Sequence, residues 1–147
     1  SLYFTPFLDG IFTLINTFNS ENDTSFKHQN TWGAAGSMSG GLDIRPFPNN
    51  WDLPKRLGSY KDHNDFWEQN TVINLVHKLR GGNLKLIFDC GVDDFFYDVN
   101  KQLHIKLLEE NIPHDYIERP GDHSWNYWAN SIKYQLLFFN DFFESQN

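Results

Sequence analysis

The feature that most constrains the fold of this chain is the apolar run at residues 84–88 and the turn that follows it. All but one residue of the run is apolar, which is typical of a strand buried on both faces of a parallel sheet. The run ends at residues 89–91, and the next turn carries the carboxylates of Asp93 and Asp94. Open α/β sheets place their ligands at the carboxyl ends of their strands. The sequence therefore predicts an acidic loop at the ligand-binding edge of a sheet.

A second strand and loop follow along the chain. Residues 114–118 are predicted to form the next strand, and the loop after it carries His123. Ser124 stands where it can cap the helix that comes next. An acid on one strand-end loop and a histidine on the next loop form the second half of a nucleophile–histidine–acid triad. The sequence therefore predicts that the two loops meet in one site.

The rest of the chain alternates between helical and strand patterns. The other predicted elements are a helix at residues 7–18, a loop at 20–30, a strand at 32–38, a long loop with one short turn of helix at 40–61, a helix from Asn64 or Asp65 to Leu79, and a helix at 98–111. On the last helix, the apolar stripe is predicted to comprise Trp128, Ile132, Leu136, Phe139 and Phe143. This alternation predicts an α/β three-layer sandwich, in which helices flank a small, mostly parallel sheet. We expect one domain over residues 1–147.

Composition excludes several classes of protein. The formal net charge is −7 and there is no basic cluster, which argues against a nucleic-acid partner. A single cysteine excludes an intramolecular disulfide. No apolar stretch is long enough to span a bilayer, so no membrane association is expected.

Three stretches resemble one known family. They read WGAAGSMSGGLDI at residues 32–44, CGVDDFFYDVN at 90–100 and IPHDYIERPGDHSWNYW at 112–128. They resemble the C-terminal part of the esterase D / tributyrin esterase-like group of α/β-hydrolases, which includes S-formylglutathione hydrolases and acetyl and feruloyl carbohydrate esterases. The resemblance covers roughly residues 10–143. It implies the C-terminal portion of an α/β-hydrolase fold, and hydrolysis of a small-molecule carboxylic ester through an acyl-enzyme, with no cofactor.

The resemblance also implies roles for one carboxylate and one histidine. The triad acid of the family matches Asp94 rather than Asp93, although both can equally be solvated turn residues. His123 would be the general base, placed after the acid as in α/β-hydrolases. Five other histidines make the residue type a weak signal by itself. Asp98 is predicted to be a helix cap.

The nucleophile is the missing member of the triad. No G-x-S-x-G motif occurs in the sequence, and the nearest serine is Ser39. Pro46 and Pro48 follow Ser39, so no helix can begin there as the elbow requires. Aligned by resemblance, the elbow falls at residues 5–10, with Phe7 in the serine's place. We therefore expect this chain alone to be inactive, and a non-catalytic binding or assembly module on a hydrolase scaffold is the alternative.

The remaining expectations concern ligands and partners. Phe95 and Trp125 flank the acid and the base, so they can form walls of a substrate pocket, although each can also be core. The aspartates near the turn lack the spacing of a calcium loop, so no metal is expected. Residues 33–38 lack the charges, prolines or bulges that guard a sheet edge. They are predicted to be an exposed edge that joins a homodimer or a second chain carrying the first half of the fold.

Overall fold

The computed structural model describes residues 25–26 and 32–145. The elements are β1 (Ala34–Met38), α1 (Leu53–Leu57), α2 (Asn64–Gln69), a 3₁₀ helix (Val72–Leu79), β2 (Lys85–Gly91), α3 (Tyr97–Glu109), β3 (Asp115–Arg119) and α4 (Trp125–Glu144). The predicted helix at 7–18 and the predicted elbow position at 5–10 lie outside the described residues. Ser25 and Phe26 fall in the predicted loop at 20–30 but are helical.

The three strands form one parallel sheet in the order β1-β2-β3. The apolar run lies in β2, at the centre, and six of the seven β2 residues are buried. Burial of β2 on both faces explains why the run is almost continuously apolar instead of alternating with polar residues. The predicted α/β fold with a small parallel sheet flanked by helices is confirmed.

Helices cover both faces of the sheet. On one face, Leu86 and Phe88 of β2 pack in a buried cluster with Leu103 and Leu107 of α3 and with the 3₁₀ helix. Burial of each such side chain stabilises the fold by about 1.5–3 kcal/mol. On the other face, α4 lies against β1 and β2. The three layers therefore leave the carboxyl ends of β2 and β3 facing the same edge.

The predicted single helix from 64 to 79 is wrong. The structure divides it into α2 and the 3₁₀ helix, with the extended residue Thr71 between them. The Thr71 hydroxyl donates to the carbonyl of Trp67, and the amide of Ile73 donates to the carbonyl of Leu42 at 3.1 Å. Since Ile73 is bonded to the 40–61 segment, its amide is not available to an unbroken α-helix.

Two details of the later helices also differ from the predictions. Phe96 is the N-cap residue of α3, and Asp98 lies in the first helical turn instead of capping it. Ser124 does cap α4, where its hydroxyl accepts from the amide of Tyr127 at 3.4 Å. The buried stripe of α4 agrees with the predicted one only at Phe139: it consists of Tyr127, Ser131, Gln135 and Phe139. Polar residues occupy this stripe because they bond to the sheet beneath, so apolar periodicity did not reveal it.

The 40–61 segment contains one short helix, as predicted. This is α1, and Pro54 stands in its first turn. The segment is attached to α2 through Arg45, whose guanidinium donates to Asp43 at 2.6 Å and to Glu68 at 2.9 Å. This ion pair fixes the start of the segment beside the sheet.

The strand β1 pairs with β2 alone among the residues that the structure describes. Its residues 34–37 are nevertheless buried, so the predicted solvent-exposed edge is wrong for these residues. Helix α4 contributes to this burial, because the Gln135 side chain donates to the carbonyl of Ser37 at 3.2 Å and fills the space above Gly36. In the described part of the chain, no helix is both long enough and apolar enough to cross a membrane.

Candidate active site

Backbone hydrogen bonds hold the two strand-end loops together beyond the sheet. The amide of Val92 donates to the carbonyl of Arg119, and the amide of Asp93 donates to the carbonyl of Gly121, each at 2.9 Å. A Cβ atom on Gly91 would come within 2.2 Å of the Gly121 oxygen, so only glycine permits this approach. The ladder between β2 and β3 therefore continues into the loops and brings the acid toward the histidine.

Asp94 lies buried at the end of the first loop. Its amide donates to the carbonyl of Gly91 at 3.1 Å, which closes the turn. One carboxylate oxygen accepts from the amide of Phe96 at 2.8 Å, just before α3 begins. This hydrogen bond restrains the rotamer of Asp94 and does not involve its second oxygen, Oδ2.

That second oxygen meets His123. The distance from Asp94 Oδ2 to His123 Nδ1 is 2.9 Å, and Oδ1 lies at 3.2 Å from the same nitrogen. The 2.9 Å distance is that of a hydrogen bond, so the two loops meet as the sequence predicts. A carboxylate facing Nδ1 requires the proton on that nitrogen, which leaves Nε2 as the basic atom of the neutral ring.

The Nε2 side of the ring makes no hydrogen bond within residues 25–26 and 32–145, and the His123 side chain is 20% exposed. Asp94, by contrast, has a fully buried side chain. The pair is therefore a base with one nitrogen fixed by a buried carboxylate and the other nitrogen accessible. This is the arrangement that general acid–base chemistry requires.

Aromatic rings surround the imidazole. Phe95 lies at 4.4 Å between ring centroids, Trp128 at 4.9 Å and Phe96 at 5.6 Å, the last two edge to face. Such rings hold the imidazole by packing and lower the local polarity. Phe95 was predicted beside the site. Trp128 was assigned to the helix core, and its position five residues after His123 is the signal that could have revealed it.

The two predicted wall residues differ in their contacts. Phe95 touches the imidazole and is 51% exposed. Trp125 is 81% exposed and packs on Trp128 at 5.1 Å, and it is Trp128 that contacts the His123 ring. The structure also adds Trp51, which sequence reasoning missed: its ring lies 6.0 Å from that of Phe95. Trp51 comes from the 40–61 segment and has a φ of 53°, which is rare for a bulky side chain.

Ser39, the nearest serine to the elbow pattern, is not joined to the histidine. It follows β1 with a φ of 51° and is fully buried, and its amide donates to the carbonyl of Asp89 at 2.7 Å. Among the described residues its hydroxyl has no hydrogen-bond partner. A serine without a hydrogen bond to the base does not have the geometry of an activated nucleophile.

The other ionisable groups near the site do not form a metal centre. Within the described ranges, no three histidine, cysteine or acidic side chains come together as a group that could hold a metal ion. The one cysteine, Cys90, is buried in β2, and this burial raises the pKa of its thiol far above the ordinary value. Cys90 is therefore a small core residue in its thiol form, because nucleophilic attack needs the thiolate.

Comparison with known proteins identifies relatives of part of this chain, although no family model matches. An acetyl esterase from Caldicellulosiruptor saccharolyticus is 32% identical over 81 residues, which cover 55% of this chain and 28% of that protein. The structure of a ferulic acid esterase aligns with 85% of this chain and 48% of its own, at 22% identity and a TM-score of 0.68. An S-formylglutathione hydrolase from Staphylococcus aureus aligns with 80% of this chain and 48% of its own, at 20% identity and a TM-score of 0.68.

Peptidases share the same architecture. Dipeptidyl peptidase 4 from Porphyromonas gingivalis aligns with 82% of this chain and 18% of its own, at 17% identity and a TM-score of 0.66. At such identities the structural likeness establishes the fold and does not determine which kind of bond is cleaved. The chain spans less than a third of the curated relative and about half of the two esterase-like structures.

Proposed function

Since this chain resembles the C-terminal part of an esterase-like α/β-hydrolase, we propose that it contributes the acid and the base of a carboxylic-ester hydrolase. The observation that carries the proposal is the 2.9 Å contact between Asp94 and His123 Nδ1, combined with an accessible Nε2. Asp94 and His123 would be the catalytic residues of this chain. The reaction would need no cofactor.

The proposed chemistry is proton transfer at His123 Nε2. The imidazole takes the proton of a nucleophilic hydroxyl as its oxygen attacks the ester carbonyl, and it then gives that proton to the leaving alcohol. A water molecule repeats the sequence on the acyl-enzyme and releases the acid. Asp94 keeps the proton on Nδ1 and stabilises the imidazolium that forms in each step.

The nucleophile would come from outside the described residues. Ser39 is buried and its hydroxyl makes no hydrogen bond to His123, so we infer that it does not supply the attacking oxygen. The donors of an oxyanion hole in this fold come from the residue after the nucleophile and from an earlier loop. We propose that both belong to the first half of the fold.

Substrate contacts would involve the exposed aromatic residues. Phe95 packs directly on His123, and Trp125 extends the aromatic surface through Trp128. Together they can form one apolar wall beside the reacting carbonyl, as ligand pockets commonly have. The substrate would be a small-molecule ester.

The alternative is a non-catalytic binding or assembly module, and one observation favours it: the sequence contains no G-x-S-x-G motif. In this version the partner would be a second copy of the chain, or a chain that carries the first half of the fold. Light scattering at low micromolar concentration tests the association. A stable monomer would contradict it.

The test of catalysis is hydrolysis of p-nitrophenyl acetate by the natural gene product that contains residues 1–147. We expect turnover that His123→Gln abolishes and that His63→Gln, an exposed histidine on another element, leaves unchanged. Turnover that survives His123→Gln would contradict the proposed role of this histidine. A gene product without turnover and without a serine in its elbow would favour the binding module.

A further inference from the structure

A buried polar cluster lies directly beneath the loops that carry Asp94 and His123. It consists of Asp89 of β2, Arg119 of β3 and Ser131 of α4. The Asp89 side chain is fully buried, and that of Arg119 is 17% exposed. None of the three touches the reacting nitrogen of His123, so the proton transfers above do not use them.

The guanidinium of Arg119 contacts two hydrogen-bond acceptors and two aromatic rings. Its Nη2 atom donates to Asp89 at 2.5 Å and to the hydroxyl of Ser131 at 2.6 Å. The Ser131 hydroxyl donates in turn to the other Asp89 oxygen at 2.7 Å. The guanidinium carbon also lies 5.2 Å from the ring of Tyr127 and 4.4 Å from that of Tyr134.

These contacts join the three elements that border the site. Asp89 precedes Asp94 by five residues, Arg119 precedes His123 by four, and α4 begins two residues after His123. The backbone ladder between the loops ends at Gly121, so it does not by itself fix the histidine ring. The position of His123 depends on where α4 begins. Arg119 lies on β3 and donates both to Asp89 of β2 and to Ser131 of α4, so it connects α4 to the two strands.

We propose that Arg119, held between Asp89 and Ser131, is a positioning residue that sets the distance between Asp94 and His123. The inference rests on the proposed function, since it concerns the same acid–base pair. Arg119 acts through α4 and through the ends of β2 and β3, and it contacts neither the substrate nor the reacting atoms.

Energetics support a positioning role over a role in stability alone. A buried ion pair gains little over apolar side chains of the same volume, because both charges lose their hydration. Burial lowers the pKa of Arg119, but the charge of Asp89 and the side chains of Tyr127 and Tyr134 together raise it by more, so the net shift is upward. The guanidinium therefore stays charged, and its Nη2 atom donates to Asp89 and to Ser131 at the same time.

The experiment follows the Nδ1–H proton of His123 by NMR in the ¹⁵N-histidine-labelled chain. His123→Gln identifies its downfield resonance. Arg119→Met removes the guanidinium and keeps the aliphatic stem. Arg45→Met is the matched control, because Arg45 also pairs with a buried carboxylate, that of Asp43, but lies outside the two loops.

We expect Arg119→Met to shift the resonance upfield or broaden it beyond detection, while Arg45→Met leaves it in place. An unchanged resonance in Arg119→Met would overturn the inference, as would an equal change in both variants, since general loss of packing would then explain it. If Arg119→Met does not fold, Ser131→Ala provides the same readout with a smaller change, and an unchanged resonance there overturns the inference. A wild-type spectrum with no such resonance would contradict the proposed acid–base pair itself, and Arg119's role with it.

Discussion

A Cβ atom on Gly91 would lie 2.2 Å from the carbonyl oxygen of Gly121, so the acid loop and the histidine loop are in direct backbone contact. The amide of Asp93 donates to the same oxygen at 2.9 Å. Replacement of Gly91 by any other residue must push the loops apart. The spacing of the proposed acid–base pair therefore depends on the absence of a side chain at position 91.

Gly91→Ala is expected to destabilise the fold by about 1–3 kcal/mol, which is typical of an atom forced into a packed interior. The measurement is the free energy of urea unfolding. Gly81→Ala is the control for loss of a glycine, because a Cβ there meets no atom within 4 Å. Its positive φ of 73° still gives a backbone cost of about 1–2 kcal/mol. The decisive difference is at the site: the Asp94–His123 contact should weaken in Gly91→Ala alone.

Asp94→Asn is expected to lower kcat for p-nitrophenyl acetate in the natural gene product by about 10⁴-fold, by analogy with loss of the acid in a serine-protease triad. The amide keeps the shape of the carboxylate but no longer holds the proton on His123 Nδ1. Asp93→Asn is the matched control, because Asp93 is the exposed neighbour on the same turn. Equal losses in the two variants would mean that the charge of the loop matters and not the acid at 94.

The 147-residue chain is expected to show no stoichiometric labelling by a fluorophosphonate probe. The physical reason is that Ser39 is fully buried and its hydroxyl makes no hydrogen bond to His123. Mass spectrometry of the treated chain is the measurement, with Ser39→Ala as the control. Labelling at Ser39 that disappears in the Ser39→Ala variant would show that the buried serine is a nucleophile after all.

A histidine pair far from the site is expected to make stability depend on pH. His104 Nδ1 lies 2.8 Å from His114 Nε2, and His114 Nδ1 lies 2.7 Å from the carbonyl oxygen of Ile112. Burial, and after it the charge of His114, lowers the pKa of His104 below its ordinary value of 6.5, with Lys101 acting in the same direction and Glu118 in the opposite one. The unfolded chain therefore binds more protons than the folded chain just below pH 6.5.

The contribution of His104 to the free energy of unfolding is thus fully present above about pH 6.5. It is lost as the pH falls toward the lowered pKa of His104. Urea unfolding at a series of pH values between 7 and 5 is the measurement. His104→Gln should flatten this dependence. Leu108→Gln, at an exposed position of the same helix, should keep it. The same slope in wild type and His104→Gln would exclude the pair as its source.

The part of the fold that apolar patterns encode was predicted correctly. The run of apolar residues indicates strand β2, and the place of Ser124 before a helical pattern indicates the N-cap of α4. The buried stripe of α4 could not be read in the same way, because Ser131 and Gln135 are buried by hydrogen bonds to Asp89 and Ser37. Those partners are distant in sequence, and no local pattern indicates them.

The same distinction applies to the site. Asp94 and His123 follow strand ends, so their meeting could be predicted from topology. The ring of Trp51 reaches Phe95 and Phe96 from a segment with few regular elements and a left-handed residue. Segments of this kind carry no periodic signal, and their course is decided by tertiary contacts such as the pair between Arg45 and Glu68.

The register of the sheet has a consequence for the order of folding. Residue 34 of β1 pairs with residue 85, whereas residue 87 of β2 pairs with residue 115, so the separations are 51 and 28 residues. Closing the longer loop costs about 0.5 kcal/mol more in chain entropy. We therefore expect β2, α3 and β3 to assemble before β1 docks, with the amides of β2 and β3 protected first in pulsed hydrogen exchange. Asp94 and His123 both belong to this earlier unit, so the pair would be in place before β1 joins the sheet.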